Sequence, residues 1–150
     1  MKRAVFPGSF DPVTIGHVDI IKRSIPLFDE IIIGVGTNSE KKYMFPVKER
    51  MFFVEQTFAN NKSISVSRYE GLTIEFCKKI RANFIIRGLR NPADFEFEKA
   101  IAQINRKLSG IETIFLPSTA KISFITSSIV GEIISNQGDY TKFVPNEVKI

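Results

Sequence analysis

Short apolar runs rich in β-branched residues recur along the chain, and a helical pattern separates each from the next. The runs are Ala4-Val5-Phe6, Ile31-Ile32-Ile33, Ile64-Ser65-Val66, Phe84-Ile85-Ile86 and Thr113-Ile114-Phe115-Leu116, and each reads as a strand. Between them apolar residues return every three to four positions: Val18, Ile21 and Ile25; Val47, Met51, Val54 and Phe58; Phe97, Ile101, Ile104 and Leu108, the signature of helices with one buried stripe. Shorter helices are expected around Thr73 to Ile80 and from about Ser128 to Ser135. Strands alternating with helices predict right-handed βαβ units. The expected fold is therefore α/β: a doubly wound, five-stranded parallel sheet, Rossmann-like, with helices on both faces. Most of the runs are apolar throughout, as strands covered on both sides must be. The third alternates Ile64-Ser65-Val66-Ser67 and is placed at an edge.

A chain of 150 residues suits one domain around one core, taken as residues 1–150. With 43% hydrophobic and 25% charged residues, the composition argues against disordered and fibrous architectures. No apolar stretch approaches the ~20 residues that span a bilayer, and the segment before Pro7-Gly8 is too short for a signal-peptide core, so neither a membrane partner nor export is expected and the site of action is read as cytoplasmic. The lone cysteine, Cys77, cannot form an intramolecular disulfide, which agrees with a reducing compartment; its neighbours Ile74, Phe76 and Ile80 make it a packing residue. The net charge of +5 favours polyanionic partners such as nucleotides. The basic residues are scattered and no nucleic-acid motif accompanies them, so no nucleic-acid partner is expected.

In open parallel sheets ligands bind beyond the carboxyl ends of the strands, where the strand order reverses. The polar residues of interest fall in the segments leaving those ends. Phe6-Pro7-Gly8-Ser9-Phe10-Asp11-Pro12-Val13-Thr14-Ile15-Gly16-His17 joins the first strand to the first helix and holds the chain's single histidine. Thr14 is placed to cap a helix whose first turn contains His17, and a helix N-terminus with free N–H groups suits phosphate. An isolated helical histidine is most often structural, but one set after a Gly- and Pro-rich strand-to-helix connection reads as part of a nucleotide loop. The loop is neither a P-loop nor G-x-G-x-x-G, since no Gly-Lys pair is present and Gly34-Val35-Gly36 is only a fragment.

Ile86-Arg87-Gly88-Leu89-Arg90 is expected directly after the fourth strand, where arginine forks grip phosphate oxygens bidentately. Asn91-Pro92-Ala93-Asp94-Phe95-Glu96-Phe97-Glu98 opens the long helix. Acidic residues there complement the helix dipole, while Glu98, four residues after Asp94, is placed either to meet nucleotide hydroxyls or to orient an arginine. Ile122-Ser123-Phe124-Ile125-Thr126-Ser127-Ser128 opens the last helix, and its run of hydroxyls makes a second candidate anion cradle. Lys41 and Lys42 follow the second strand; exposed lysines are the default and say little singly.

These segments, in order over nearly the whole chain, resemble the bacterial phosphopantetheine adenylyltransferases of the nucleotidylyltransferase superfamily, which is marked by a T/H-x-G-H motif. The anchors are Pro7 to Pro12, Thr14-Ile15-Gly16-His17, Met44-Phe45 with Glu49-Arg50, Ile86 to Arg90, Ala93-Asp94-Phe95-Glu96 and Phe124 to Ser128. The resemblance implies a nucleotidylyltransferase-type fold and transfer of the adenylyl group of ATP to 4′-phosphopantetheine with Mg²⁺, giving dephospho-coenzyme A and pyrophosphate in coenzyme A biosynthesis. It implies that Ser9, Lys41, Thr73 and Arg87 bind the pantetheine substrate. ATP falls to Ser9, Phe10, His17, Gly88, Leu89, Arg90, Glu98, Ile122, Ser123, Phe124, Ile125, Thr126, Ser127 and Ser128. His17, Lys41, Arg87 and Ser128 form the implied catalytic set, and a homohexamer the implied assembly. Ser9 stands where the family has threonine more often, Thr126 replaces a serine, Ile122 stands at a position often aromatic, and Thr73 at one that accepts a larger apolar residue.

The implied chemistry suits these residues. A phosphate acceptor is already anionic at neutral pH and needs no general base, and the chain shows no nucleophile–histidine–carboxylate set. Three other readings remain open on sequence: a sister transferase acting on nicotinamide mononucleotide or glycerol phosphate, a non-catalytic nucleotide-binding module, and a basic nucleic-acid binder. The first should lack the I-R-G-L-R and A-D-F-E pair; the second would release no pyrophosphate; the third would show steep salt dependence.

Overall fold

The structure, a computed structural model, describes residues 1–150. Its strands are β1 (Arg3–Gly8), β2 (Glu30–Gly36), β3 (Ile64–Tyr69), β4 (Phe84–Leu89) and β5 (Glu112–Pro117), and its helices α1 (Ile15–Ser24), α2 (Val47–Thr57), α3 (Thr73–Lys79), α4 (Pro92–Ser109) and α5 (Ser127–Ser135). The five strands form one sheet in the order β3-β2-β1-β4-β5, and every pairing is parallel. The expected parallel α/β architecture is present, with β3, the run that alternates polar and apolar residues, at an edge. The order reverses between β1 and β4, so the crevice above Gly8 and Leu89 is where ligands are expected.

Alternate strand residues feed two apolar layers, as the two-residue period of a strand requires. Ala4, Phe6, Ile31, Ile33 and Ile86 pack on one side with Val18, Ile20 and Ile21 of α1, Phe53 and Val54 of α2 and Val130 of α5. Val5, Ile32 and Ile85 face the other side and meet Ile74, Phe76 and Cys77 of α3. Each fully buried Ile or Val contributes about 1.5–3 kcal/mol relative to exposure, so the first, larger layer carries most of the core.

Local chemistry ends the helices where the sequence suggests. Thr14 caps α1 in a reciprocal box, its hydroxyl accepting from the His17 backbone N–H while the His17 side chain accepts from the Thr14 backbone N–H. Asn91 caps α4 by accepting from Asp94 N–H, Pro92 fills the first turn, and Gly110 ends the helix in the left-handed conformation at φ 75°, which glycine adopts without a Cβ penalty. Thr126 caps α5, accepting from Ile129 N–H.

Two features depart from the sequence reading, and a third lies outside it. The strands overrun the apolar runs at their carboxyl ends, so Arg87, Gly88 and Leu89 lie in β4 rather than after it; pairing with Phe115, Leu116 and Pro117 of β5 extends the ladder through them. The apolar positions of α4 are not a buried stripe. No residue of α4 is buried, and Phe97, Ile104 and Leu108 are each more than half exposed, although Phe95 of the same helix packs edge-on against Phe115 of β5. The last segment, for which the sequence predicts no element, docks back on the larger layer through Val144 and Val148, and its Phe143 carbonyl accepts from Ile15 N–H at 3.0 Å.

Candidate active site

Two cavities open above the reversal point and share one wall. The first, about 400 Å³, runs from Gly36 and Lys41 past Tyr69 and Thr73 to Ile101 and Asn105 of α4. The second, about 320 Å³, is bounded by His17, Arg90 and the α5 N-terminus. Pro7, Gly8, Ser9, Arg87 and Glu98 line both. Backbone at the end of β1 thus separates the cavities, and one arginine–carboxylate pair is reachable from either side.

His17 stands in the second cavity with its chemistry fixed by its neighbours. The Thr14 backbone N–H donates to Nδ1 at 3.0 Å, so the neutral ring carries its proton on Nε2 and offers it as a donor. The ring lies edge-on to Phe10, with centroids 4.9 Å apart. Burial, reinforced by the positive charges of Arg87 and Arg90, pushes the imidazole pKa down to about 4. At neutral pH His17 is therefore an uncharged hydrogen-bond donor. Phe10 is 1% exposed, and it holds a left-handed φ of 50°, a conformation that costs a non-glycine residue energy. A Cβ on Gly8 would stand 3.1 Å from the Phe10 ring; the missing side chain lets that ring pack beneath the strand end.

Arg87 is held by protein partners on two sides. It donates from Nε to Glu98 Oε2 at 3.0 Å and from Nη2 to Glu98 Oε1 at 2.6 Å, while Nη1 donates to the Pro7 carbonyl at 2.9 Å. Three of the five guanidinium N–H groups are thereby committed and two are left for a phosphate. Arg90 pairs with Asp94 through Nε at 3.1 Å and is more exposed. Although partial burial works against the Asp94 carboxylate, the backbone and side-chain N–H groups of Arg90 hold its pKa below the usual value.

The remaining candidates divide by place. Ser9, Lys41, Thr73 and Arg87 all line the first cavity. Ser9, His17, Gly88, Arg90, Glu98, Ile122, Ile125, Thr126, Ser127 and Ser128 line the second. Phe10, Leu89, Ser123 and Phe124 line neither. Phe10 supports His17 from below, the Ser123 hydroxyl donates to the Ala120 carbonyl at 3.1 Å, and Phe124 projects outward, 63% exposed. Ser127 donates to the Pro12 carbonyl at 2.8 Å, tying α5 to the His17 loop. Of the two roles open to Glu98, the structure displays the orientation of an arginine. Cys77 lies in the small layer, where burial raises its thiol pKa to about 11.

Sequence reasoning gave no role to several residues that build the site. Tyr69 stacks on Phe76 at 4.7 Å, its hydroxyl 2.9 Å from that of Thr73, and forms part of the first cavity's wall. Arg50 is 1% exposed and joins the backbones of Phe45, Ser9 and Gly36. One signal for it was present: Arg50 lies three residues after Val47 and four before Val54, a charge on the apolar stripe of α2.

Comparison with known proteins bears on the family. A family described as cytidylyltransferase-like matches residues 5–133. The phosphopantetheine adenylyltransferase of Flavobacterium psychrophilum is 64% identical over 150 residues, covering 100% of this chain and 99% of that protein. The proteins of the same name from Flavobacterium johnsoniae and Cutibacterium acnes are 61% and 43% identical, over 100% and 97% of this chain and 99% and 93% of theirs. Among solved structures, a lipopolysaccharide core biosynthesis protein from Thermoplasma volcanium GSS1 superposes with a TM-score of 0.57 at 21% identity, covering 79% of this chain and 97% of that one, a likeness of fold alone. The T-x-G-H loop, the paired arginines and identity running from end to end lead to one conclusion: the chain belongs to the phosphopantetheine adenylyltransferase family, within the cytidylyltransferase-like group.

Proposed function

We propose that this protein transfers the adenylyl group of ATP to 4′-phosphopantetheine, forming dephospho-coenzyme A and pyrophosphate in coenzyme A biosynthesis. The observation that carries the reading is the shared lining: Ser9, Arg87 and Glu98 border both cavities, so an acceptor phosphate from one and a nucleotide α-phosphate from the other meet in direct contact at the rim the cavities share. An oxygen of the acceptor phosphate bonds to the α-phosphorus while the bond to the pyrophosphate oxygen breaks. The acceptor enters already ionised, so no proton has to be removed.

Catalysis is then placement and charge. Arg87, pre-aligned by Glu98, holds the acceptor phosphate together with Lys41. The His17 Nε2–H donates to the α-phosphate as charge develops there, and because the ring is neutral it does so without giving up a proton. Ser128 and the free N–H groups of α5 face the departing pyrophosphate. No group of three or more His, Cys, Asp or Glu residues is placed to cage a metal, and the site suits Mg²⁺ held by the nucleotide's own phosphates, where it would neutralise charge on the leaving group.

The apolar face of α4 supports a homo-oligomer, hexameric as the resemblance implies, since Phe97, Ile104 and Leu108 lie open on it. The cytoplasm, where ATP is abundant, is the proposed compartment; the unpaired, buried Cys77 agrees with a reducing one. The test is pyrophosphate release with ATP and either 4′-phosphopantetheine or nicotinamide mononucleotide. Release with phosphopantetheine alone is expected; release with the mononucleotide alone would move the assignment to a sister transferase.

A further inference from the structure

Lys41 sits on a long connection between β2 and α2, and a lysine so placed contributes to placement only if its loop has one conformation. Two side chains from outside the loop give it one. Asp11, on the segment leaving β1, accepts from Met44 N–H through Oδ2 at 2.8 Å and from Phe45 N–H through Oδ1 at 2.9 Å. Arg50, on α2, donates from Nε to the Phe45 carbonyl at 3.1 Å and from Nη1 to the Ser9 carbonyl at 2.7 Å and the Gly36 carbonyl at 2.9 Å.

The loop, the end of β2 and the Ser9 segment are thus drawn onto one buried cation. The Arg50 guanidinium carbon also lies 4.0 Å from the centroid of the Tyr43 ring, and Lys41 Nζ lies 5.4 Å from the same centroid. A burial this deep is costly for a charge unless it is fully partnered. A hydrophobic residue would serve the core of α2 as well, but it would leave the loop and Ser9 unconnected.

We propose that Asp11 and Arg50 are positioning residues that hold Tyr43 and Lys41 on the lining of the first cavity, so that Lys41 meets the reacting phosphate without a search. This rests on the adenylyl-transfer reading of the site. The clamp acts through one loop: Asp11 fixes its backbone by the amides of Met44 and Phe45, and Arg50 fixes the same stretch by the Phe45 carbonyl and the Tyr43 ring. Lysine cannot replace Arg50, because a single ammonium lacks the planar fork that reaches three carbonyls.

The test is a double-mutant cycle joined to hydrogen exchange on the full chain. Asp11 is only half-buried, so Asp11→Asn is the first variant, with Arg50→Lys the second. Asp11→Asn is expected to speed exchange at the Met44 and Phe45 amides, to leave the Kd for ATP unchanged and to lower kcat on the order of tenfold or more. In a Lys41→Ala background the same change should cost no more than about twofold, because residues acting through one group are non-additive. Equal losses of kcat in both backgrounds would reduce the clamp to a stability element, and unaltered exchange at the two amides would overturn it outright. A wild-type protein that releases no pyrophosphate would sink the transfer reading, while the exchange result would still decide the clamp.

Discussion

The Glu98 carboxylate grips Arg87 by two parallel hydrogen bonds, to Nη2 at 2.6 Å and Nε at 3.0 Å. Glu98→Gln keeps the volume but replaces one acceptor with a donor, so the fork loses an arm and the guanidinium is freed to rotate. A hydrogen bond to a charged group contributes about 1.5–3 kcal/mol. The KM for phosphopantetheine is expected to rise on the order of tenfold, with a smaller change for ATP. Steady-state kinetics varying each substrate in turn would decide it, and an unchanged acceptor KM would mean that the Pro7 carbonyl alone aligns Arg87.

His17 has both a chemical and a structural part, and the two separate by magnitude. His17→Ala removes a transition-state donor, for which a loss in kcat of about 10²-fold or more is usual. The same change deletes the acceptor for Thr14 N–H, half of a helix cap worth about 1 kcal/mol. The variant should therefore fold, with a small drop in Tm, and should turn over slowly. Near-normal kcat would exclude the imidazole from the reaction.

The depressed pKa of His17 sets a direction for stability against pH. The folded ring's pKa is pushed down to about 4 from the ordinary histidine value of 6.5, so between those values the unfolded chain holds a proton that the folded chain does not. This contribution to stability is complete above about pH 6.5 and declines as the pH falls toward 4. The chain has a single histidine, so imidazole NMR would follow one resonance. It should show no titration between pH 6 and 8 in the folded protein; an ordinary midpoint near 6.5 would mean that the ring is solvated.

Cys77 is fully buried, and its thiol pKa is raised to about 11 by that burial. Alkylation needs the thiolate and access to it. Iodoacetamide should leave native activity and mass unchanged and add one label after denaturation. Rapid labelling of the native protein would show that α3 opens readily.

The apolar face of α4 offers a direct check on assembly. Ile104 is 58% exposed, so Ile104→Glu places a charge on an open surface and leaves the fold intact. If copies of this chain join through that face, sedimentation velocity should show a smaller particle than the unmodified protein, because a desolvated carboxylate at an interface costs several kcal/mol. An unaltered sedimentation coefficient would place the contact elsewhere.

The strands and helices were legible because their periods are local. Ile31-Ile32-Ile33 and Val47-Met51-Val54 declare themselves in a few residues, and even the edge position of β3 followed from the alternation of Ile64-Ser65-Val66. The fate of the α4 stripe was not legible: amphipathic spacing says that a face is apolar and says nothing of what meets it. The overrun of β4 through Leu89 depends on its pairing with Pro117, which no single segment carries. In the site, His17 and Arg87 were readable as types set at strand ends, while Lys41 entered only through the family resemblance. Arg50 and Asp11 were not, because they act on backbone atoms, all but one of them 14 to 41 residues away, and a backbone partner leaves no letter in the sequence.

The thin partition made by Pro7, Gly8 and Ser9 bears on how the enzyme lets go. A product that joins the adenylate to the acceptor arm in one molecule must straddle that ridge and fill both chambers together. Until it departs, neither fresh nucleotide nor fresh acceptor can enter, so its accumulation should slow turnover competitively against each.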